Sequence, residues 1–224
     1  MQTPSPNPSM DRVRRRALRR GFTLIELLAV ILIISILVTA LTPMINDAIE
    51  ASKVTACAAN LRELHKGLVL YENKFHRIPD QSGVRFFAAL IAKGAMDKTK
   101  PNCERLSCPA IDKSSLAIGT MDWEQWWSDL DRIDGTYSAY AGRDLKNHPL
   151  RKGITSSGRE PLIADDNDPE LNHRTTTNVL YADGNVQTFE FLELQEQGSV
   201  TPDETTLVVG PDSPVADLTK LTLD

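Results

Sequence analysis

Residues 20–43 read Arg20-Gly21-Phe22-Thr23-Leu24-Ile25-Glu26-Leu27-Leu28-Ala29-Val30-Ile31-Leu32-Ile33-Ile34-Ser35-Ile36-Leu37-Val38-Thr39-Ala40-Leu41-Thr42-Pro43. The stretch predicts an apolar helix, opened by Gly21-Phe22 and interrupted near its start by one carboxylate, Glu26. No charge occurs from Leu27 to Ile45, roughly the ~20 residues with which an α-helix crosses the ~30 Å hydrocarbon core. The chain is therefore expected to enter a membrane. An ionised side chain inside such a span costs on the order of 2.5–3.5 kcal/mol on insertion scales, so a Glu one turn into the helix calls for a positive partner.

Arg12, Arg14, Arg15, Arg16, Arg19 and Arg20 flank the apolar run on one side only. The positive-inside rule then places the N-terminus in the cytoplasm and everything after about residue 45 beyond the inner membrane. One-sided charge also argues against a helix buried in a soluble core. A cleaved secretory signal would have a shorter apolar region and an Ala-x-Ala type site after it, and none follows Leu41. A signal anchor that is never processed fits the hydropathy equally well but gives Gly21-Phe22 and Glu26 no reason.

A basic leader, a Gly, then Phe22-Thr23-Leu24-Ile25-Glu26 and an apolar helix resembles the N-terminal signal of type IV pilins and of the pseudopilins of type II secretion. The resemblance implies that a membrane prepilin peptidase cuts after Gly21 and methylates Phe22. It also implies that Glu26 serves subunit assembly, and that Pro43 stands where many pilins carry a helix-kinking proline. Cleavage would create an ammonium group at Phe22, and a neighbouring subunit's Glu26 can pair with it at low dielectric. The partners implied are that peptidase, other pilin or pseudopilin subunits, the membrane, and an inner-membrane assembly platform with its ATPase.

The expected organisation is a leader over 1–21, a transmembrane and assembly helix over 22–45, a periplasmic globular domain over 46–197, and an extended or disordered tail over 198–224, rich in Thr, Asp and Pro. The chain carries a net charge of −5, and its leader holds six Arg and one Asp, a surplus of five, so the mature chain stands at −10. An acidic exterior is a poor match for nucleic acid, which selects a basic stripe.

Beyond Pro43 the helix is expected to continue into water. Cys57, Leu61, Leu64, Leu68, Tyr71 and Phe75 recur at spacings of four and three and so share one stripe, with Arg62, Glu63, Lys66, Glu72 and Lys74 opposite. Ile78-Pro79-Asp80 stops it. A helix of about 54 residues would reach ~80 Å, a length suited to a filament spine. A short helix is predicted over 84–93, and a helical turn over 123–127 would put Trp123, Trp126 and Trp127 on one packing face. Strands are predicted over 136–140, 161–164, 178–182 and 185–191, the last two joined by Asp183-Gly184 as a two-residue type I′ turn. The fold class is α+β, a long N-terminal helix packed on a small antiparallel sheet.

His173 is followed by nine residues and then Asp183-Gly184. This resembles the His-x9-Asp-Gly segment near the C-terminus of a large group of prepilin-like proteins, with Asn185 standing where a His is common. The expected role of His173 is to cap or hydrogen-bond nearby backbone, because no catalytic or metal-binding partners surround it in sequence. Asp165, Asp166, Asn167, Asp168 and Glu170 form a run of hard oxygen ligands that suits Ca2+, and major pseudopilins carry a calcium site in a loop similar in kind. The bland reading is a solvated acidic turn, and the spacing is not that of an EF-hand.

Cys57, Cys103 and Cys108 would face an oxidising periplasm, where one disulfide and one leftover thiol are expected and the pairing stays open. The short Cys103/Cys108 spacing suits a local staple, and a link from Cys57 to that loop is slightly favoured. No Cys-x-x-Cys pair or nearby His completes a zinc set. Enzyme signatures are absent from the sequence: no Gly-x-Ser-x-Gly elbow, no phosphate-cradling Gly-rich loop and no His-Glu-x-x-His. The sequence favours a structural subunit. The alternative is a membrane-tethered periplasmic binding module using the Trp123–Trp127 face or the acidic loop.

Overall fold

The computed structural model describes residues 22–165, 172–173, 175–201, 204 and 207–224. The chain divides into two compact units between Ile45 and Asn46. Helix α1, Leu24–Phe75, contributes to both and keeps Pro43 within its length. In the first unit α1 is apolar all round, and Leu27, Ile31, Leu32, Ile36 and Leu41 stand exposed. This helix is long and apolar enough to cross a membrane, and none of its apolar window is buried in the chain.

In the second unit α1 obeys a stripe. Cys57, Leu61, Leu64, Leu68 and Tyr71 are buried and Phe75 packs at the edge of the same core, and each fully buried Leu contributes about 1.5–3 kcal/mol of apolar transfer. The polar face keeps a Lys66–Glu63 contact of 2.6 Å between solvent-exposed groups, which adds little. The helix ends where His76 turns left-handed at φ 55°, three residues before Pro79, and its N–H still donates to the Glu72 carbonyl at 2.8 Å.

Helix α2, Val84–Ala92, buries Val84, Phe86, Phe87, Leu90 and Ile91 against α1 residues in one cluster. A one-turn helix α3, Lys100–Glu104, follows, with Thr99 as its cap. The sheet has five strands, β1 Ala141–Arg143, β2 Pro161–Ala164, β3 Thr176–Tyr181, β4 Val186–Glu190 and β5 Leu221–Thr222, in the order β4-β3-β2-β1-β5. Every neighbouring pair is antiparallel. A last short helix α4, Phe191–Glu196, follows β4. Strand alternation sorts β3 side chains between two cores: Leu180 joins the α1 cluster, while Val179 and Tyr181 join a second cluster with Leu194, Val200, Leu207, Val209, Leu218 and Leu221.

Four expectations need correction. The tail is not an extended appendage: its apolar residues cover the second face of the sheet, and β5 pairs with β1 through Gly142↔Thr222 and Arg143↔Leu221. The region 136–140 is no strand; a 3-10 turn occupies Gly135–Tyr137, and the strand starts at Ala141. The hairpin loop has three residues, Ala182, Asp183 and Gly184, because the Tyr181 N–H donates to the Asn185 carbonyl at 2.9 Å. Gly184 alone is left-handed, at φ 84°, whereas a type I′ turn needs both central residues there.

The tryptophan run is a series of turns rather than a helix. Trp127 sits at φ 59°, a conformation that costs a non-glycine residue on the order of 1–3 kcal/mol. Full burial and an indole N–H donated to the Cys103 carbonyl at 3.0 Å hold it there. Gly142 meets α2's start so closely that an added Cβ would lie 1.9 Å from the Gly83 carbonyl oxygen, so the first strand and the α2 entry are fitted backbone to backbone.

Candidate functional site

At the start of α1, Thr23 and Glu26 form a reciprocal cap. The Thr23 N–H and hydroxyl both donate to Glu26 Oε2 at 2.9 Å, and the Glu26 N–H donates back to Thr23 Oγ1 at 3.2 Å. This is the Ser/Thr-x-x-Glu capping box, which satisfies two orphan donors at a helix N-terminus. Phe22 precedes it, exposed. The carboxylate is thus fixed one turn from the predicted cleavage point by local backbone chemistry. Gly21 lies outside the described residues.

A second constellation lies inside the globular unit. Cys57 on α1, Cys108 in the loop after α3, Asp165 at the end of β2 and His173 ahead of β3 converge, with exposures of 0%, 0%, 0% and 1%. His173 Nε2 is 3.4 Å from Cys108 Sγ and 3.2 Å from Asp165 Oδ2. Cys57 Sγ is 3.1 Å from the same Asp165 oxygen and 3.4 Å from the Tyr140 hydroxyl. The ligand atoms of Cys57, Cys108 and His173 all lie within 4.8 Å of one another. Asn178 completes the frame, its N–H donating to Asp165 Oδ1 and its amide to Oδ2, both at 2.7 Å.

These contacts set the protonation states. Burial, reinforced by Cys108 and the Asp165 charge, pushes the Cys57 thiol well above its usual range. Cys108 moves the other way, to about 6, chiefly through its hydrogen bond with Cys57, and against burial with help from His173. Burial disfavours a charged His173, yet the hydrogen bonds to Asp165 and Cys108 outweigh it and lift the imidazole to about 10. Burial also raises Tyr140 well above the ordinary phenol range. The cluster brings two thiols, an imidazole and a carboxylate together, closed from water.

The structure redistributes the sequence-predicted site residues. All three cysteines are free and buried in the structure. Cys57 does meet the loop, through Cys108, whereas Cys103 stands apart with its carbonyl engaged by Trp127. Asp165 points inward, with the Cys57 thiol and the Asn178 N–H and amide on its oxygens; Asp166, Asn167, Asp168 and Glu170 lie outside the described residues. His173, expected as a backbone cap without partners, is the hub of the cluster, while Asp183 Oδ1 accepts the Asn185 N–H at 3.0 Å in the hairpin turn. Trp126 and Trp127 are buried and Trp123 packs against the core, which leaves no open aromatic platform among them.

Tyr140, Asn178 and Glu50 were missed. Glu50 carried a signal: it lies seven residues before Cys57, hence on the same helical stripe, and its Oε1 sits 3.3 Å from His173 Nδ1. Asn178 and Tyr140 had none, because what they touch comes from distant parts of the chain.

With the helix, its cap and the sheet in place, residues 16–42 are found to match the family described as the prokaryotic N-terminal methylation motif. Together with the long N-terminal helix and the small antiparallel sheet, the match supports a type IV pilin- or pseudopilin-like protein with a prepilin-type signal, and α1 is long and apolar enough to be a single-pass membrane anchor. The matched segment does not reach the His173–Gly184 region. No curated protein and no solved structure matches the chain.

Proposed function

We propose that the chain is a structural subunit that is cut after Gly21, N-methylated at Phe22, and polymerised through α1 into a type II secretion pseudopilus or type IV pilus-like filament. Its leader is cytoplasmic and its globular unit periplasmic, as the one-sided arginines favour. One observation carries this reading: residues 27–45 present apolar side chains all round that stand exposed among the described residues, beside a carboxylate held by its own cap at the helix start. Lipid covers that surface before assembly and neighbouring helices cover it afterwards. An assembly platform and its ATPase would supply the work of extraction from the bilayer. Each incoming Phe22 ammonium meets a Glu26 of the subunit already in place, neutralising both in low dielectric.

A calcium ion on Asp165, Asp166, Asn167, Asp168 and Glu170 is a further proposal for the loop. The binding-module alternative loses its aromatic platform to packing, and no observation favours it. Glu26→Ala tests the assembly step: the variant is expected to be cleaved like wild type and to be absent from sheared filament fractions. Normal incorporation of the variant would sink the pairing mechanism.

A further inference from the structure

The donors of the buried Cys57–Cys108–His173–Asp165 cluster come from four separate segments and converge inside the globular unit. A tetrahedral zinc ion with Zn–S of about 2.3 Å and Zn–N or Zn–O of about 2.0–2.1 Å requires ligand–ligand edges of about 3.8 Å between sulfurs, about 3.5 Å between sulfur and a light atom, and about 3.3 Å between nitrogen and oxygen. The edges found are 3.4 Å for Cys108 Sγ to His173 Nε2, 3.1 Å for Cys57 Sγ to Asp165 Oδ2 and 3.2 Å for His173 Nε2 to Asp165 Oδ2. The two sulfurs and the imidazole nitrogen lie within 4.8 Å of one another. The two sulfurs and the imidazole nitrogen are therefore close enough to share one ion, and Asp165 Oδ2 adjoins two of the three as the candidate fourth ligand.

The surroundings are those of a metal's outer sphere. Ligating histidines characteristically give their other ring N–H to a carboxylate, and ligating carboxylates are themselves hydrogen-bonded. Here His173 Nδ1 faces Glu50 Oε1 at 3.3 Å, and Asp165 Oδ1 takes the Asn178 N–H at 2.7 Å. The Ala110 N–H donates to Cys108 Sγ at 3.4 Å, and the Tyr140 hydroxyl lies 3.4 Å from Cys57 Sγ, so each sulfur has a donor suited to a thiolate.

We propose that Cys57 Sγ, Cys108 Sγ, His173 Nε2 and Asp165 Oδ2 bind one zinc ion that staples the domain half of α1 to the Cys108 loop and the sheet. Four protein ligands at full burial make a closed, structural site with no open position for substrate. Binding sends the protons carried by the thiols and the imidazole to solvent, as deprotonated ligands require. A Cys57–Cys108 disulfide is the competing use of the same sulfurs, and it would leave His173 and Asp165 outside the link.

The test uses the full-length chain purified in detergent from its native membrane under metal-controlled, non-reducing conditions. Native mass and metal analysis are expected to find one zinc per chain, removable by a strong chelator with a fall in Tm. Refilling with Co2+ is expected to give the intense visible bands of tetrahedral cobalt with sulfur-to-cobalt charge transfer. Cys108→Ser and His173→Ala are expected to lose the metal and the spectrum; should either fail to fold, the wild-type zinc and cobalt measurements decide alone. A chain lighter by two hydrogens with no metal, or one with free thiols that takes up neither zinc nor cobalt, would overturn the proposal.

Discussion

The two halves of α1 are made of similar residues and live under different rules. From 24 to 45 the apolar side chains point in all directions and are exposed; from 57 to 75 they fall on one stripe and are buried by α2 and the sheet. The lesson is that an apolar helix names its partner by its pattern. A stripe of about 100° asks for a core within the same chain, while an all-round apolar surface asks for a solvent that is itself apolar. Glu26 belongs to the first half and is stabilised there by local bonds to Thr23, whereas charges in the second half are governed by folding.

The largest effect should come from denying the first half its maturation. Gly21→Val is expected to abolish cleavage, read as a membrane-bound chain with the full leader mass, while the globular unit melts as in wild type. Next, Leu64→Ala is expected to cost the domain about 2–5 kcal/mol by leaving a cavity in its core, whereas Leu32→Ala should change the same detergent melt by no more than about 0.5 kcal/mol. Equal losses at both positions would break the comparison.

Glu26→Gln sharpens it, because the amide retains a capping acceptor but not the charge. Assembly is expected to weaken by about 1.5–3 kcal/mol per subunit contact, the worth of a charge-assisted bond, while cleavage stays normal. Filament yield in a strain carrying only this variant is the readout, and wild-type yield would assign Glu26 to capping alone.

The smallest effect concerns a charge of the folded half. Glu160 Oε2 accepts from Arg143 Nη1 at 2.9 Å and from Lys220 at 3.2 Å. Burial pushes this carboxyl up, but the bonds and charges of Arg143 and Lys220 outweigh it and hold it below the usual glutamate value. A depressed folded pKa adds stability that is present above the unfolded value near 4.5 and fades as pH falls through the folded one. Glu160→Gln should therefore cost under about 1 kcal/mol at neutral pH, since the group is partly exposed, and flatten the acid side of a stability–pH curve.

Local pattern made much of this fold legible. The α1 stripe, α2, β2 and the hairpin strands all follow from spacing within a few residues. What escaped was nonlocal or one residue long. Leu207, Val209, Leu218 and Leu221 are too sparse among polar neighbours to announce that they cover a sheet, and Ala182 adds the single residue that changes the hairpin turn. Of the two sites, the helix start was readable because Gly21-Phe22, Glu26 and the apolar run lie in one contiguous stretch, although the Thr23 cap on Glu26 was not read from it. The buried cluster was not, since Cys108 lies 65 residues from His173 and Cys57 lies 108 from Asp165. No spacing rule connects positions that only the sheet brings together.

The most direct test of the central claim is the intact mass and N-terminal residue of the chain recovered from its native membrane, with and without prepilin peptidase. A chain beginning at N-methyl-Phe22 only when the peptidase is present is the predicted result. An unprocessed chain in both backgrounds would contradict it and make residues 22–45 an ordinary anchor.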